Sequence, residues 1–150
     1  MPLVEASVRI GAEPAAIEAV LLDAGLAPRW TSGLERLELV EGRPGLAGSV
    51  GRAHYREGGR RYVLDDVLLE VEPGRRYLSR VSGGGLEARV ETLLEPVGEG
   101  ETRMLLRWSG RGTNPVTFLL LPFMGRRVRQ RAQADLEALK ALVEAGPARL

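Results

Sequence analysis

The sequence predicts an α+β fold in which a run of antiparallel strands curls against one long C-terminal helix. Three observations carry this. Residues from Leu34 to Gly112 break into short alternating segments joined by glycine turns, Pro115 to Gly146 keep a helical period, and a strand and a helical stretch precede both. A long amphipathic helix needs an apolar surface to lie on, and a row of hairpins with one covered face supplies it. The order of elements therefore describes a chamber closed by a helix.

Val4, Ala6, Val8 and Ile10 alternate with Glu5, Ser7 and Arg9, the period of a half-buried strand that Gly11 ends. Glu13-Pro14 opens a helical stretch, with Ile17, Val20 and Leu21 at helical spacing and a stop near Gly25. A second short turn runs to Trp30. Leu34 to Val40 and Ser49 to Arg56 follow as strands, and Gly58-Gly59 makes a hairpin to a strand from Arg61 to Val71. Pro73-Gly74 turns the chain into Tyr77 to Ser82, Gly83-Gly84-Gly85 leads to Leu86 to Leu94, and Pro96 to Gly100 lead to Thr102 to Ser109. Along the final helix Leu121, Val128, Ala132, Leu136, Leu139 and Val143 recur at three- and four-residue spacing. Arg131 and Asp135 form an i,i+4 pair, read as ordinary surface support.

A chain of 150 residues buries enough surface to fold alone, so residues 1–150 are expected to form one domain. Its net charge of +1, from 21 basic and 20 acidic residues spread along the chain, excludes the basic footprint of a general nucleic-acid binder. The absence of cysteine excludes disulfides, a thiolate nucleophile and a zinc-thiolate site, and the single histidine, His54, excludes a histidine-rich metal site. No metal and no cofactor are expected. Met1 to Glu5 lack the basic start and apolar core of a secretory signal, so a cytoplasmic location is the expectation. The longest apolar stretch, Val116 to Met124, is too short to span a bilayer and contains Pro122.

Strand, helical pair, six strands and long helix is the order of the START-like (SRPBCC) superfamily, and the residues resemble it in detail. The resemblance rests on the opening strand followed by Ala12-Glu13-Pro14-Ala15, on Trp30 ahead of the Leu34 to Glu41 strand, and on Pro44-Gly45 with Gly48-Ser49-Val50-Gly51. Val67, Glu72-Pro73, Arg75-Arg76-Tyr77-Leu78, and Asp135-Leu136 with Leu139-Lys140 extend it over almost the whole chain. The resemblance implies the helix-grip fold, a seven-stranded antiparallel sheet curled around the long helix. It also implies a cavity between them for a lipid, polyketide or other apolar molecule. The superfamily holds carriers, cyclases and chaperone co-factors, so fold alone does not choose among them.

Hairpin geometry gives the expected lining. A two-residue Gly58-Gly59 turn sets His54 opposite Val63, Arg52 opposite Asp65 and Val50 opposite Val67, all on one face. Carried onward, that face takes in Leu69, Leu78 and Arg80, then Ala88 and Val90, and it is read as the face toward the helix; a slip of one residue in either turn places Tyr55, Tyr62 and Asp66 there instead. Met104, Leu106 and Trp108 continue the lining, and Phe118, Leu121, Met124 and Val128 complete it from the helix. Arg52, His54, Asp65 and Arg80 would then form a polar cluster in an apolar pocket, the usual form of a small-molecule site.

The expected function is binding of a small apolar or amphipathic molecule without catalysis. One alternative is a cyclase or dehydratase using Arg52, His54 and Asp65, with His54 and Asp65 as the catalytic candidates. Another is a protein-interaction module. Ala47-Gly48-Ser49-Val50-Gly51 lacks the first glycine and the strand-to-helix context of a nucleophile elbow, and Gly42, Gly45 and Gly48 have no following lysine and form turns. With that facing, Tyr55, Tyr62, Leu64, Leu68, Tyr77 and Val81 lie outside, which predicts a homodimer through the outer face. Phe118 to Met124 followed by Arg126, Arg127, Arg129 and Arg131 allows transient contact of residues 118–131 with an anionic membrane surface, and Pro122 and Gly125 predict a kink.

Overall fold

The computed structural model describes residues 3–146, so Met1 and Pro2, part of the segment read for a signal, lie outside the described residues. Its seven strands are β1 (Leu3–Ile10), β2 (Leu34–Glu41), β3 (Val50–Glu57), β4 (Arg60–Glu72), β5 (Arg76–Gly83), β6 (Leu86–Gly98) and β7 (Glu101–Gly112). They form one antiparallel sheet in the order β1-β7-β6-β5-β4-β3-β2. Helices α1 (Pro14–Leu21) and α2 (Ala27–Trp30) follow β1; α3 (Pro115–Leu120), a 3-10 turn (Leu121–Phe123) and α4 (Gly125–Ala145) follow β7. The single C-terminal helix read from the sequence is thus broken. Pro122 carries no backbone donor, and the chain tightens there before α4 begins.

Turn chemistry sets the pairing. Gly58 and Gly59 hold φ of 55° and 80°, which joins Glu57 to Arg60 in a tight hairpin and produces the expected pairs His54 with Val63, Arg52 with Asp65 and Val50 with Val67. Gly84 and Gly85, at φ 60° and 81°, make a second two-residue turn, so Gly83 faces Leu86, Val81 faces Ala88 and Arg80 faces Arg89.

That second turn decides which face is inside. Val4, Ala6, Val8 and Ile10 of β1 pair with Trp108, Leu106, Met104 and Thr102 of β7, which in turn face Val90, Thr92, Leu94 and Pro96 of β6. The same face continues through Tyr77, Ser79 and Val81 of β5 to Asp66 and Leu68 of β4, and then to Tyr62 and Tyr55. A bulge between Leu68 and Glu70 keeps Val71 opposite Tyr77 on that face and leaves Leu69 at the irregularity.

Packing energy is concentrated at one side of this face. Ile10, Ile17 and Leu139 are 0% exposed and cluster with Leu136, Val143, Met104, Leu94 and Tyr77 where α4 and α1 cross the sheet. Polar side chains fasten α4 along the edge strand β1. Gln133 Nε2 donates to the Ser7 carbonyl at 2.9 Å, Lys140 Nζ to the Arg9 carbonyl at 2.5 Å, and the Gly11 amide to Glu144 Oε2 at 2.7 Å. The exposed backbone of an edge strand is thereby partly satisfied, which guards it against pairing with another chain. At the far end of β7, Gly112 lets α3 seat directly on the strand, since a Cβ there would lie 2.2 Å from the Phe118 backbone nitrogen.

Candidate functional site

The pairing expected for β3 and β4 holds, but the face is the opposite one. Arg52, His54, Asp65, Val67, Leu78 and Arg80 stand on the face away from α4, because Arg80 pairs with Arg89 instead of sharing a face with Ala88 and Val90. The physical reason is the turn at Gly83-Gly84-Gly85: two residues close it, one fewer than the sequence reading requires, and one residue reverses every side chain. Arg52 Nε meets Asp65 Oδ1 at 3.4 Å with both side chains about half exposed. His54 Nε2 lies 2.7 Å from Glu38 Oε1, and that hydrogen bond holds the Glu38 carboxyl below the usual carboxylate range. Arg76 with Glu91, Arg107 with Glu5 and Glu91, and Arg111 with Glu87 extend a lattice of surface ion pairs over the same face. The polar cluster is therefore a solvated face of the sheet. A recess of about 340 Å³ beside it is lined by Glu35, Arg36, His54, Tyr55, Arg61, Tyr62 and Val63.

Tyr55, Tyr62, Leu64, Leu68, Tyr77 and Val81 turn inward, which removes the apolar outer surface on which the homodimer was expected. They meet the residues that were correctly assigned to the inner face. Ala88 and Met104 are buried, Val90, Leu106 and Trp108 are half-buried, and Leu121 and Val128 approach from the helical side. Phe118 and Met124 do not join the lining; both are exposed on the turn before α4.

The inner face changes character across the sheet. Under α4 it is closed, whereas over β4, β5 and β6 the inward-facing Leu64, Asp66, Leu68, Ser79, Val81 and Val90 are only half-buried. Since α4 rests mainly on β1, α1 and α2, the inward side chains of the middle strands are left partly uncovered, and this partly uncovered strip of the inner face is termed the trough. On β7, beside Val90, the Trp108 ring folds over Gly110, where a Cβ would lie 2.2 Å from the indole.

Toward β3 and the start of β4 the inner face is polar. Tyr55 and Tyr62 stack at 5.2 Å with their planes 8° apart, and the Arg131 guanidinium lies 5.5 Å from the Tyr55 ring centre. Arg131 also donates to the Ser32 carbonyl at 2.5 Å and pairs with Glu57. Asp135 accepts from the Ser32 amide at 3.0 Å and from its hydroxyl at 2.5 Å. Arg131 and Asp135 are thus not a surface pair; each grips the loop after α2. Burial pushes the Tyr55 hydroxyl up to about 12, and burial also raises the Asp66 carboxyl despite the hydrogen bond from Ser79. Tyr77, raised by burial and by Glu18, hydrogen-bonds Glu18 and so ties β5 to α1.

Sequence reasoning named Tyr55, Tyr62 and Asp66 as the opposite facing but did not find Ser79 or Arg131 as lining. The signal for Arg131 lay in its spacing. It sits three residues after Val128 and four before Asp135, on the flank of the stripe formed by Val128, Ala132, Leu136 and Leu139. No described group of His, Asp and Glu side chains is arranged to hold a metal ion.

Known proteins fit this geometry. The fold superimposes on a START superfamily protein from Mycobacterium smegmatis with a TM-score of 0.79, at 15% identity, over 95% of this chain and 97% of that one. It matches the Zhui aromatase/cyclase from Streptomyces sp. R1128 with a TM-score of 0.75, at 21% identity, over 97% and 96% of the two chains. A Thermus thermophilus protein gives a TM-score of 0.75 at 21% identity, over 96% and 98%. No curated protein matches the sequence. At these identities the likeness establishes the helix-grip fold. The sequence model of one family matches residues 1–144, and the chain accordingly belongs to the family of polyketide cyclases/dehydrases and lipid transport proteins.

Proposed function

We propose that the protein binds a small apolar or amphipathic molecule in the trough between α4 and the middle of the sheet. The observation that carries this is the partial exposure of Leu64, Leu68, Val81 and Val90, in contrast to Ile10, Met104, Leu136 and Leu139, which are fully buried where α4 crosses the sheet. Apolar side chains that face inward yet remain wetted gain free energy when a ligand replaces the water, at roughly 25 cal/mol per Å² covered. Leu68, Val81, Val90, Leu106 and Trp108 would hold the apolar part. Tyr55, Tyr62, Asp66, Ser79 and Arg131 would orient a polar end.

An anionic amphiphile such as 1-anilinonaphthalene-8-sulfonate should show a saturable rise in fluorescence with the native protein. Val90→Trp, which fills the floor of the trough, should weaken that binding about tenfold or more. The exposed Phe118 and Phe123 lie elsewhere, so a signal unchanged by Val90→Trp would place the probe outside the trough and sink the proposal. Solvent extraction and mass spectrometry of the purified protein would identify a co-purifying ligand.

A second reading, acid-base catalysis of the cyclase or dehydratase type, rests on Asp66. His54 and Asp65, the earlier candidates, stand on the opposite face. A carboxyl held above its ordinary value inside an apolar trough is the kind of group that exchanges protons with a substrate. Its cost is visible in stability. Because the folded-state value lies above the ordinary 3.8, the native state holds the proton more tightly than the unfolded chain, and stability falls as pH rises through that window. Asp66→Asn should therefore stabilise the protein at neutral pH, by roughly 1 kcal/mol for a half-buried side chain, and flatten its stability between acid and neutral pH. Urea unfolding at several pH values checks this. Equal or lower stability of Asp66→Asn at neutral pH would show that the carboxylate is well solvated and would remove the basis for the catalytic reading.

A further inference from the structure

The turn between β7 and α4 exposes more apolar surface than any packing role requires. Val116 is 65% exposed, Phe118 68%, Leu119 67%, Leu120 54% and Phe123 85%, while Leu121 alone turns inward at 5%. The turn is firmly mounted. Asn114 and Thr117 cap α3 reciprocally, Thr117 Oγ1 donates to the Gly85 carbonyl at 2.6 Å, and α3 sits on Gly112 with no room for a side chain between. These side chains are therefore displayed by a fixed base and are not left over from a loose end.

Charge says what they meet. Between Glu101 and Asp135 the chain has no acidic residue, although its net charge is only +1. Arg103, Arg107, Arg111 and Arg131 are paired with Glu95, Glu5 and Glu91, Glu87 and Glu57. Among the described residues, Arg126, Arg127 and Arg129 enter no such pair, and they follow the apolar turn within one helical turn. Arg126 and Arg129 also line a recess of about 430 Å³ between the start of β1 and the start of α4, beside the turn.

We propose that Val116 to Met124 together with Arg126, Arg127 and Arg129 form a docking surface for an anionic lipid bilayer. Apolar side chains at the tip enter the acyl boundary while the arginines behind them meet lipid phosphates. A second copy of this chain fits less well, because pairing two such surfaces brings the two arginine clusters together without an acidic group between them. Arg131, which the sequence grouped with the other arginines, is turned inward and takes no part. The proposal is independent of what the trough binds.

Co-sedimentation with vesicles tests it on the full chain. Binding is expected to phosphatidylcholine–phosphatidylglycerol vesicles, with far weaker binding to phosphatidylcholine alone and release by high salt. Arg126→Gln/Arg127→Gln/Arg129→Gln should weaken binding on the order of a hundredfold. Phe123→Asp, at a position too exposed to affect folding, should also abolish it. Failure to bind the anionic vesicles, or equal binding to both vesicle types that survives the arginine substitutions, overturns the proposal. So does a dimer in sedimentation velocity that Phe123→Asp converts to monomer, since the surface would then be covered by a second copy.

Discussion

Leu139→Ala should destabilise the fold by about 3–4 kcal/mol, enough to lower the unfolding midpoint by about 10 °C for a chain of this size. Leu139 is fully buried in the cluster that holds Ile10, Ile17, Leu136 and Val143. Its removal leaves a cavity that cannot collapse easily, because β1 is fixed by pairing to β7 and α4 is bound to its backbone through Gln133 and Lys140. The transfer and cavity costs then add. Leu39, at 44% exposure on the edge strand β2, supplies the comparison: Leu39→Ala should change stability by less than about 0.5 kcal/mol. Urea unfolding of both variants checks the ratio. Similar losses at the two sites would mean that the fold does not depend on one packed side of the sheet.

That uneven distribution of packing links stability to function. With the core concentrated where α1 and α4 meet β1, β6 and β7, the middle strands need not touch the helix to remain in place. They are held by hydrogen bonds to their neighbours and by the ion pairs of the outer face, each worth little alone. A trough can therefore be kept open without unfolding the domain, which a uniformly packed interior would not allow.

Much of this was legible in the amino-acid order. Alternation identified all seven strands, and the paired glycines at Gly58-Gly59 fixed the register of β3 on β4 residue by residue. The face was lost at Gly84-Gly85, where three consecutive glycines leave the length of the turn undetermined by side chains. The composition of the two faces carried the missing information. One held Tyr55, Tyr62, Leu64, Leu68, Tyr77 and Val81, the other Arg52, His54, Asp65 and Arg80, and desolvating the charged set costs far more than exposing the apolar one. The break in the C-terminal helix was legible from Pro122, whereas the inward turn of Arg131 depends on Ser32 and Glu57, distant in sequence and brought together only by the closed sheet.

Arg131→Met should weaken binding of an anionic amphiphile to the trough about tenfold while lowering stability by about 1–2 kcal/mol. The stem of methionine keeps most of the packing, so the change isolates the guanidinium. Burial works against the charge of Arg131, but the Tyr62 hydroxyl and the Glu57 carboxylate outweigh it and raise its pKa, so the cation persists at any physiological pH. It stands over the Tyr55 ring and holds the Ser32 carbonyl, and it thereby connects α4 to β3 and to the loop after α2. The stability cost is modest because the Arg131 and Glu57 side chains are 34% and 42% exposed and their pair is screened by solvent. The binding cost is larger in proportion, since a charge-assisted hydrogen bond to an anionic head group would be lost with nothing to replace it. Arg52→Met on the outer face should leave affinity unchanged, as its partner Asp65 lies in water. Isothermal titration of 1-anilinonaphthalene-8-sulfonate into the three proteins separates the roles. A loss of stability with unchanged affinity would make Arg131 a strut between helix and sheet, and the polar end of the ligand would then have to be met by Asp66 and Ser79 instead.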